Sequence, residues 1–270
     1  MGDLGNLPPA QTRHFTRIDG STASPDSAPV AEEVPVAFVY GGKPHVVMMC
    51  TPADLEDLAV GFTLSEEIAQ RASDVVRLDV VRHVRGIEVQ MELPPDAQAR
   101  VAERTRALAG RTGCGLCGID AIDHAIRAPR TISSIATFAS RAITRAGDSL
   151  AAQQPVNNDT RAVHAAAWAT ADGALRVVRE DVGRHNALDK VIGALARSGT
   201  NPSTGFFMVT SRASYELVQK VAVTGSPLLA AVSRPTGLAI RFAEEAGLTL
   251  VGLLRGQTAN VYSHPGRITL

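Results

Sequence analysis

Residues 205–255 decide the fold and read GFFMVTSRASYELVQKVAVTGSPLLAAVSRPTGLAIRFAEEAGLTLVGLLR. Three apolar runs, at 205–212, 227–234 and 248–255, alternate with two segments of helical character that each end at a glycine. Continuous apolar runs are typical of strands buried on both faces, and strand–helix–strand alternation favours parallel crossovers. The stretch therefore predicts the core of a three-layer α/β domain over residues 131–270.

The segments just before this stretch extend the same domain. HAAAWAT (164–170) and ALRVVRED (174–181) flank the turn residues ADG and predict a pair of strands. The next segment, VGRHNALDKVIGALARSG, predicts a helix that Gly199 closes.

The first half of the chain predicts a smaller α/β domain over residues 34–110. VPVAFVY and HVVMMC flank GGKP and predict a hairpin, and a second hairpin is expected over residues 75–93. Thr51 as N-cap and Pro52 as first helical residue predict a helix between the two hairpins. An amphipathic helix is expected after Pro95.

Two further segments lack the patterns of regular structure. Residues 1–33 are rich in Pro, Ser, Asp and Gly without any period, which predicts a disordered tail. Residues 111–130 contain the glycine-bracketed cysteines and predict a hinge or loop.

Composition limits the classes of partner. The chain balances 27 basic residues with 27 acidic ones, which removes the broad positive field that nucleic acids and anionic membranes require. An odd count of three cysteines argues against a secreted disulfide framework. No apolar run reaches the roughly 18 residues that span a bilayer, and no signal-peptide pattern opens the chain. The sequence predicts a cytoplasmic protein with no nucleic-acid or membrane partner.

Arginines end three of the predicted strands. Arg212, Arg234 and Arg255 close the apolar runs, and Arg184 begins the helix after ALRVVRED. Because ligands of open α/β sheets bind outside the carboxyl ends of the strands, these guanidinium groups are expected on one edge. Each arginine could instead simply leave the sheet into solvent. Their regular spacing favours a pocket for a polyanion such as a nucleotide.

The stretch EDVGRHNALDK places charged side chains densely at a strand-to-helix junction. One interpretation is structural, with Asp181 as a helix cap and His185 and Asp189 as an i, i+4 pair. The other interpretation assigns Arg184, His185 and Lys190 to ligand contacts or to the support of a thiol site.

The stretch GCGLCG puts Cys114 and Cys117 three residues apart between glycines. A zinc site would need two more ligands, and the sequence has no second pair at finger-like spacing. A thioredoxin-type couple would follow a strand, whereas this stretch follows a predicted helix. Sulfur carriage needs an accessible, partly ionised thiol on a loose backbone, which the glycines and the next predicted helix favour. Inert thiols are the fourth interpretation.

His164 and Trp168 limit the functions that can be assigned to the predicted alanine-rich strand. Zinc deaminase chemistry needs H-x-E and a later P-C-x-x-C, but two alanines follow His164 and no cysteine follows Cys117. Deaminase chemistry is therefore excluded. A lone histidine beside an apolar strand is most simply structural, and Trp168 most simply belongs to the core.

Five stretches together resemble the formate dehydrogenase accessory sulfurtransferase family, FdhD: RTGCGLCG, HAAAW, EDVGRHNALDK, SRASYELVQK and LVGLLRGQTANVYSHP. The resemblance implies a cytoplasmic homodimer, an enzyme that takes persulfide sulfur from a cysteine desulfurase. It implies that the sulfur passes to the molybdenum cofactor, in its bis-guanine-dinucleotide form, before insertion into formate dehydrogenase. GDP or GTP is the expected mimic of this cofactor. The resemblance also implies a C-terminal domain with a cytidine-deaminase-like fold.

Individual residues receive roles from the same resemblance. Cys114 and Cys117 match the sulfur-bearing pair, with one of them as the persulfide intermediate. Residues 253–258 match the family's cofactor-binding stretch and hold one basic residue, Arg255. The full predicted cofactor-binding set, which includes no metal ligand, is His164, Asp181, Arg184, His185, Asn186, Lys190, Ser211, Arg212, Lys220, Arg234, Leu253, Leu254, Arg255, Gly256, Gln257 and Thr258.

Two rival functions stay open at this point. In the first, the protein is a binding module that chaperones the cofactor, and the thiols tether it or sense redox state. In the second, zinc bound at the thiols stabilises an interaction domain. The sequence leaves open which cysteine bears the persulfide, the role of Cys50 and the identity of the client dehydrogenase.

Overall fold

The described residues form a six-stranded sheet, a four-stranded sheet, an N-terminal β-hairpin and a short pair of strands. We call the parts built around the six-stranded and the four-stranded sheet the C-terminal and the N-terminal domain. The computed structural model describes residues 3–109, 126 and 128–270, so the predicted helix after GCGLCG lies outside the described residues. Within these residues no helix is both long and apolar enough to cross a membrane. The helices are α1 (Leu55–Ser65), α2 (Pro95–Ala109), α3 (Ser140–Ala152), α4 (Pro155–Thr160), α5 (Arg184–Ser198), α6 (Tyr215–Thr224) and α7 (Gly237–Ala246). The strands are β1 (Ala10–Asp19), β2 (Thr22–Ala31), β3 (Val34–Tyr40), β4 (Lys43–Cys50), β5 (Arg77–His83), β6 (Gly86–Glu92), β7 (Phe138–Ala139), β8 (His164–Thr170), β9 (Leu175–Asp181), β10 (Gly205–Val209), β11 (Leu228–Ala231), β12 (Thr249–Arg255), β13 (Thr258–Val261) and β14 (Ile268–Thr269).

A six-stranded sheet in the order β13-β12-β11-β10-β8-β9 forms the C-terminal domain. β10, β11 and β12 run parallel, which confirms the crossovers predicted from residues 205–255, and β8 pairs antiparallel with β9 and β10. α5, α6 and α7 bury one face around Trp168 and Phe207, and α3 covers the other face around Phe206 and Met208. The predicted α/β architecture is confirmed, whereas the likeness to cytidine deaminases stays a prediction.

The N-terminal sheet has the order β4-β3-β6-β5, and α1 packs on its buried face. Both predicted hairpins are confirmed, because β3 pairs antiparallel with β4 and β5 with β6. The predicted helix start is wrong, since α1 begins at Leu55. Thr51 instead contacts the other domain: its N–H donates to Asp181 Oδ2 at 3.0 Å, and its carbonyl oxygen accepts from Lys190 Nζ at 3.1 Å.

The expectation of a disordered tail over residues 1–33 does not match the structure. β1 and β2 form a regular antiparallel hairpin whose pairs run from Ala10↔Ala31 to Asp19↔Thr22. Most side chains on both strands are exposed, so the hairpin has no apolar face whose period could have predicted it.

α1 and α5 cross so closely that their backbones touch. A Cβ atom built on Gly61 would lie 1.7 Å from the carbonyl oxygen of Asp189, and one built on Gly193 would lie 1.9 Å from that of Asp57. Only glycine leaves room for this contact, because any side chain would push the helices apart. The crossing joins the two domains, since α1 packs in the core of the first domain and α5 in that of the second.

Gly61→Ala and Gly193→Ala are expected to destabilise the protein by at least the ~1–3 kcal/mol that overpacking of a filled core costs. Gly266→Ala is the matched control, because nothing lies within 4 Å of a Cβ built on Gly266. Urea unfolding followed by circular dichroism measures the difference as a shift of the midpoint. Equal midpoints for Gly61→Ala and Gly266→Ala would contradict the close crossing.

Candidate functional site

One edge of the C-terminal sheet gathers the strand-end arginines. The ends of β9, β10, β11 and β12 meet there with the starts of β8 and β13, because β8 and β13 run antiparallel to their neighbours. We call this edge the basic edge; it carries His164, Arg184, Arg212, Arg234 and Arg255. The topology brings these side chains to a shared edge, as expected, and their contact with a ligand stays a prediction.

An open cavity of about 540 Å³ lies at the β11–β12–β13 end of the basic edge. Arg234 and Arg255 contribute two guanidinium groups to its wall, and no carboxylate among the described residues pairs with either of them. Positive charge without a local partner suits the binding of phosphate groups. The cavity is lined by Ser233, Arg234, Leu253, Arg255, Thr258 and Asn260.

Leu253 holds an unusual backbone conformation beside this cavity. Its φ is 53°, in the left-handed region that costs a non-glycine residue about 1–2 kcal/mol. The conformation coincides with a β-bulge, a register shift between Gly252 and Arg255 where β12 pairs with β13. Backbone strain is therefore located in the stretch 253–258, which the family resemblance assigns to cofactor binding.

The β8–β9 end of the basic edge holds His185 and Arg184. His185 Nε2 lies 2.8 Å from Glu216 Oε2 and 3.5 Å from Ser214 Oγ. Both contacts use the same ring nitrogen, so His185 cannot relay a proton from Ser214 to Glu216 as in a catalytic triad. Arg184 Nε is buried and has no hydrogen-bond partner among the described residues. A buried donor without an acceptor is rare in folded proteins and is satisfied when a ligand supplies the acceptor.

Asp181, Asn186 and Lys190 do not present ligand-binding groups on the surface. The Asp181 and Lys190 side chains are fully buried and form an ion pair at 2.7 Å. Lys190 Nζ also donates to the carbonyl oxygens of Thr51 and Glu180, each at 3.1 Å, and Asn186 Nδ2 donates to Asp181 Oδ1 at 3.0 Å. The three Nζ protons all have acceptors. These residues therefore hold the start of α5 against Thr51, and their contact with a cofactor stays a prediction.

Lys220 is likewise a buried structural residue. Its Nζ lies 3.0 Å from both carboxylate oxygens of Asp189, 2.8 Å from Ser65 Oγ and 3.1 Å from Glu66 Oε1. Burial opposes the lysine charge, but Asp189 and Glu66 outweigh burial and raise the pKa of Lys220 above its ordinary value. The expected His185–Asp189 pair is wrong, because Asp189 faces Lys220 and His185 contacts Glu216. Contact of Lys220 with a cofactor stays a prediction.

The remaining predicted residues divide between buried and exposed positions. Ser211 is buried, and its hydroxyl donates to the carbonyl oxygen of Arg212 at 3.0 Å. Leu254 is buried on the α3 side of the sheet. Gly256 and Gln257 are exposed in the turn between β12 and β13, so the predicted cofactor-binding stretch 253–258 contains a hairpin turn.

Cys114 and Cys117 lie outside the described residues, and the structure describes only the third thiol. Cys50 is fully buried, and burial, followed by the charge of Asp181, raises the pKa of its thiol above the ordinary value. Cys50 is therefore a poor nucleophile. In the described part of the chain no three His, Cys, Asp or Glu side chains are grouped as metal ligands, and zinc at Cys114 and Cys117 stays untested.

The described residues that follow the thiol segment lie away from the basic edge. The Ile132 N–H donates to the carbonyl oxygen of Ala246 at 2.8 Å, at the end of α7. β12 begins just after α7 and runs from there towards the basic edge, so Ile132 lies at the opposite edge of the sheet. Arg130 Nε pairs with Glu67 Oε1 at 3.0 Å, near the end of α1.

Fold and site define a mixed α/β protein with arginines collected at the carboxyl ends of its central strands. Residues 31–269 match the model of the FdhD/NarQ family, and the chain belongs to this family. A sulfur carrier protein FdhD from Cupriavidus necator is 53% identical over 245 residues, which cover 91% of this chain and 84% of that protein. Its counterpart from Xanthomonas euvesicatoria pv. vesicatoria is 49% identical over 263 residues, which cover 97% of this chain and 94% of that protein.

A solved structure has the same fold. It comes from Desulfotalea psychrophila, is described as a formate dehydrogenase accessory protein, and is similar to this chain with a TM-score of 0.75 at 22% identity. The match covers 97% of this chain and 100% of that chain. At this identity the likeness supports the fold alone.

Sequence reasoning did not single out Ser233, Asn260 or Glu216. Ser233 directly precedes Arg234 just beyond a strand end, and its position there could have placed it near the cavity. Asn260 lies two residues after Thr258 on the same strand, so strand alternation could have placed it on the same face as Thr258. Glu216 has no comparable signal, because its contact with His185 joins two helices that are distant in sequence.

His164 is expected to make stability depend on pH. Burial, and then the charges of Arg184 and His185, lower the pKa of His164 below its ordinary value of 6.5. The folded protein binds fewer protons there than the unfolded chain, so stability is full above pH 6.5 and decreases below it. His164→Gln should reduce the loss in urea midpoint between pH 7.5 and pH 5.5, whereas His14→Gln, which changes an exposed histidine, should not. An equally steep loss in His164→Gln would contradict this assignment.

Proposed function

We propose that the protein carries persulfide sulfur on Cys114 or Cys117 and delivers it to the molybdenum cofactor, in its bis-guanine-dinucleotide form, for a formate dehydrogenase. A cysteine desulfurase supplies the sulfur, and the transfer takes place in the cytoplasm. The supporting observation is the basic edge with its arginine-lined cavity of about 540 Å³. This edge occurs in a chain whose relatives are named sulfur carrier proteins.

Thiol–persulfide exchange explains the need for a nucleophilic cysteine. The thiolate of Cys114 or Cys117 attacks the outer sulfur of the donor persulfide, the donor S–S bond breaks, and the donor cysteine leaves as a thiolate. This exchange involves no net oxidation or reduction. Release of the carried sulfur as sulfide needs two electrons, which the second thiol supplies by closing a Cys114–Cys117 disulfide. A cellular dithiol then reduces that disulfide and is itself oxidised.

The basic edge suits a guest that carries two pyrophosphate groups. Each charge-assisted hydrogen bond to a phosphate contributes about 1.5–3 kcal/mol. Neighbouring strands lie about 4.8 Å apart, so the six strands span about 24 Å, and separate arginines can contact separate phosphates. The buried Nε of Arg184 supplies one donor at one end, and Arg234 and Arg255 supply donors at the other.

Arg130 and Ile132, which follow the thiol segment, lie away from the basic edge, so delivery of sulfur to that edge needs a connecting segment long enough to reach it. β12 crosses the sheet in seven residues, which span about 23 Å. Thirteen positions separate Cys117 from Arg130, and an extended chain of that length reaches about 43 Å. The length of the chain between Cys117 and Arg130 therefore permits delivery of sulfur to the basic edge. The separation also favours a second candidate function, a cofactor chaperone whose thiols act as a tether or redox sensor.

Sulfur loading separates these two functions. Protein incubated with a cysteine desulfurase and ³⁵S-cysteine is expected to gain label that a reductant releases, and the Cys114→Ser/Cys117→Ser variant should gain none. Cys50→Ser is the matched control and should keep the full label, because the buried Cys50 thiol is unreactive. Intact mass of the two single variants then identifies the loaded cysteine. Absence of releasable label from the wild-type protein would support the chaperone instead.

Arg234→Gln and Arg255→Gln should each weaken the binding of GDP by about 10- to 100-fold, because each removes a charge-assisted contact of ~1.5–3 kcal/mol. Arg176→Gln is the control, since Arg176 is exposed near the start of β9, at the opposite edge of the sheet. Isothermal titration calorimetry measures the dissociation constants. Unchanged affinity in the Arg234→Gln/Arg255→Gln double variant would remove the cavity from the proposal.

A further inference from the structure

A second cavity, of about 320 Å³, lies between the two domains where three helices end. Residues at the ends of α1, α5 and α6 line it, together with the segment 69–72 that follows α1 and with Arg130. Among the described residues it shares no lining side chain with the cavity at the basic edge. Its volume is at the lower limit of the ~300–1,000 Å³ typical of ligand pockets, which often lie between domains. The cavity therefore suits a small molecule.

Part of the lining is aliphatic. Leu64, Ile192, Ala196 and Val223 contribute branched or small apolar side chains, and Ile192 is almost fully buried. We call these four residues the aliphatic wall. None of the described lining residues is aromatic, so the cavity offers no ring on which a planar ligand could stack. The aliphatic wall favours a ligand that carries a short hydrocarbon group.

The charged groups of this cavity have both signs. Glu67 Oε1 lies 3.0 Å from Arg130 Nε, and 27% of the Glu67 side chain is exposed. Arg71 Nε lies 3.7 Å from Asp74 Oδ1, and 80% of the Arg71 side chain is exposed, so its guanidinium group is only loosely held. A carboxylate and a mobile guanidinium group at one cavity together match a ligand that is a zwitterion.

Glu67 has a backbone conformation that glycine would adopt at lower cost. Its φ is 58°, and it directly follows Glu66, the C-cap of α1, at the position where helices commonly place glycine. Strain at a residue other than glycine indicates that its side chain has a role. At this position the side chain supplies a carboxylate to the cavity.

Three helix ends add negative potential to that carboxylate. α1 ends at Ser65, α5 at Ser198 and α6 at Thr224, each at or beside a residue of the cavity. The C-terminus of a helix carries roughly half a negative charge, because its last carbonyl groups lack partners within the helix. The inner part of the site therefore favours a positively charged group on the ligand.

We propose that this cavity binds a neutral α-amino acid with an aliphatic side chain. The ammonium group of the ligand contacts Glu67 and the helix ends, its carboxylate pairs with Arg71, and its side chain packs on the aliphatic wall. A carboxylate can accept several hydrogen bonds, so Glu67 can hold Arg130 and the ammonium group together. An aliphatic amine or a fatty acid leaves one of the two charges of the cavity unmatched.

The bound amino acid contacts both domains. Leu64 and Glu67 belong to the N-terminal domain, whereas Ile192, Ala196 and Val223 belong to the C-terminal domain. A ligand that binds only when these residues are together stabilises the folded arrangement of the domains. The cavity is therefore a site through which the concentration of an amino acid acts on the junction of α1 with α5.

L-Leucine is the probe for this site. Isothermal titration calorimetry on the full chain should show that L-leucine binds. 3-Methylbutylamine lacks the carboxylate and 4-methylpentanoic acid lacks the amine, and each should bind at least about tenfold more weakly. Glycine, which lacks the aliphatic side chain, should also bind at least about tenfold more weakly. Absence of L-leucine binding, or equal affinity for 4-methylpentanoic acid, would overturn the proposal.

Glu67→Gly separates a ligand-binding role from a structural one. Glycine relieves the left-handed backbone, so the variant should unfold at an equal or higher urea concentration than the wild-type protein. Its affinity for L-leucine should nevertheless fall by about tenfold, because the carboxylate is lost. Glu245→Gln, which changes an exposed glutamate on α7, is the control and should keep full affinity. Unchanged affinity in Glu67→Gly would contradict the assigned role of its carboxylate.

Ala196→Leu tests the location of the ligand from the other domain. Ala196 is half-buried on α5, so a larger side chain there occupies part of the cavity. The variant should bind L-leucine at least about tenfold more weakly while its circular dichroism spectrum stays that of the folded protein. Arg71→Gln should weaken binding as well, whereas Arg241→Gln, on the exposed side of α7, should not. Full affinity in both Ala196→Leu and Arg71→Gln would overturn the assignment of this cavity.

Discussion

The backbone contact between α1 and α5 is the constraint on which the rest of the structure depends. Gly61 and Gly193 let the two helices touch, and this proximity brings polar groups of the N-terminal domain to Lys190 and Lys220. A buried charge that loses its partners costs several kcal/mol, so separation of the domains would leave both lysine side chains without some of their hydrogen-bond acceptors. The N-terminal domain thereby fixes the start of α5, and with it Arg184, although it contributes no residue to the basic edge.

Positive charge accumulates locally in a chain whose charges cancel overall. Parallel strands end at the same edge, and the chain leaves three of them through arginine. The acidic side chains near this edge already have partners: Asp181 holds Lys190, Glu180 accepts hydrogen bonds from the start of α4, and Glu216 contacts His185. The field at the edge is therefore a consequence of topology, because adjacent parallel strands concentrate residues that are about twenty positions apart in sequence.

The sequence predicts best those features that repeat with the period of a strand or a helix. The apolar runs of residues 205–255 predicted the sheet, and the arginines that follow them predicted the basic edge, because strand direction alone determines both. The same reasoning did not predict the partners of Thr51 and Lys220, because the Thr51 backbone and the Lys220 side chain contact residues of the other domain. It also failed for the hairpin, whose side chains face solvent and follow no apolar period.

The bulge at Leu253 determines which side of the sheet carries the end of β12. Leu250 packs in the α5–α7 layer and Val251 in the α3 layer, so strict alternation would return Leu254 to the former. Leu254 packs in the α3 layer instead, which directs the next residue, Arg255, towards the opposite side. The left-handed backbone at Leu253 thus reverses the sides of the sheet to which the following side chains point. Straightening the bulge without removing a residue would turn the last guanidinium to the other side of the sheet and leave every hydrophobic layer before it intact.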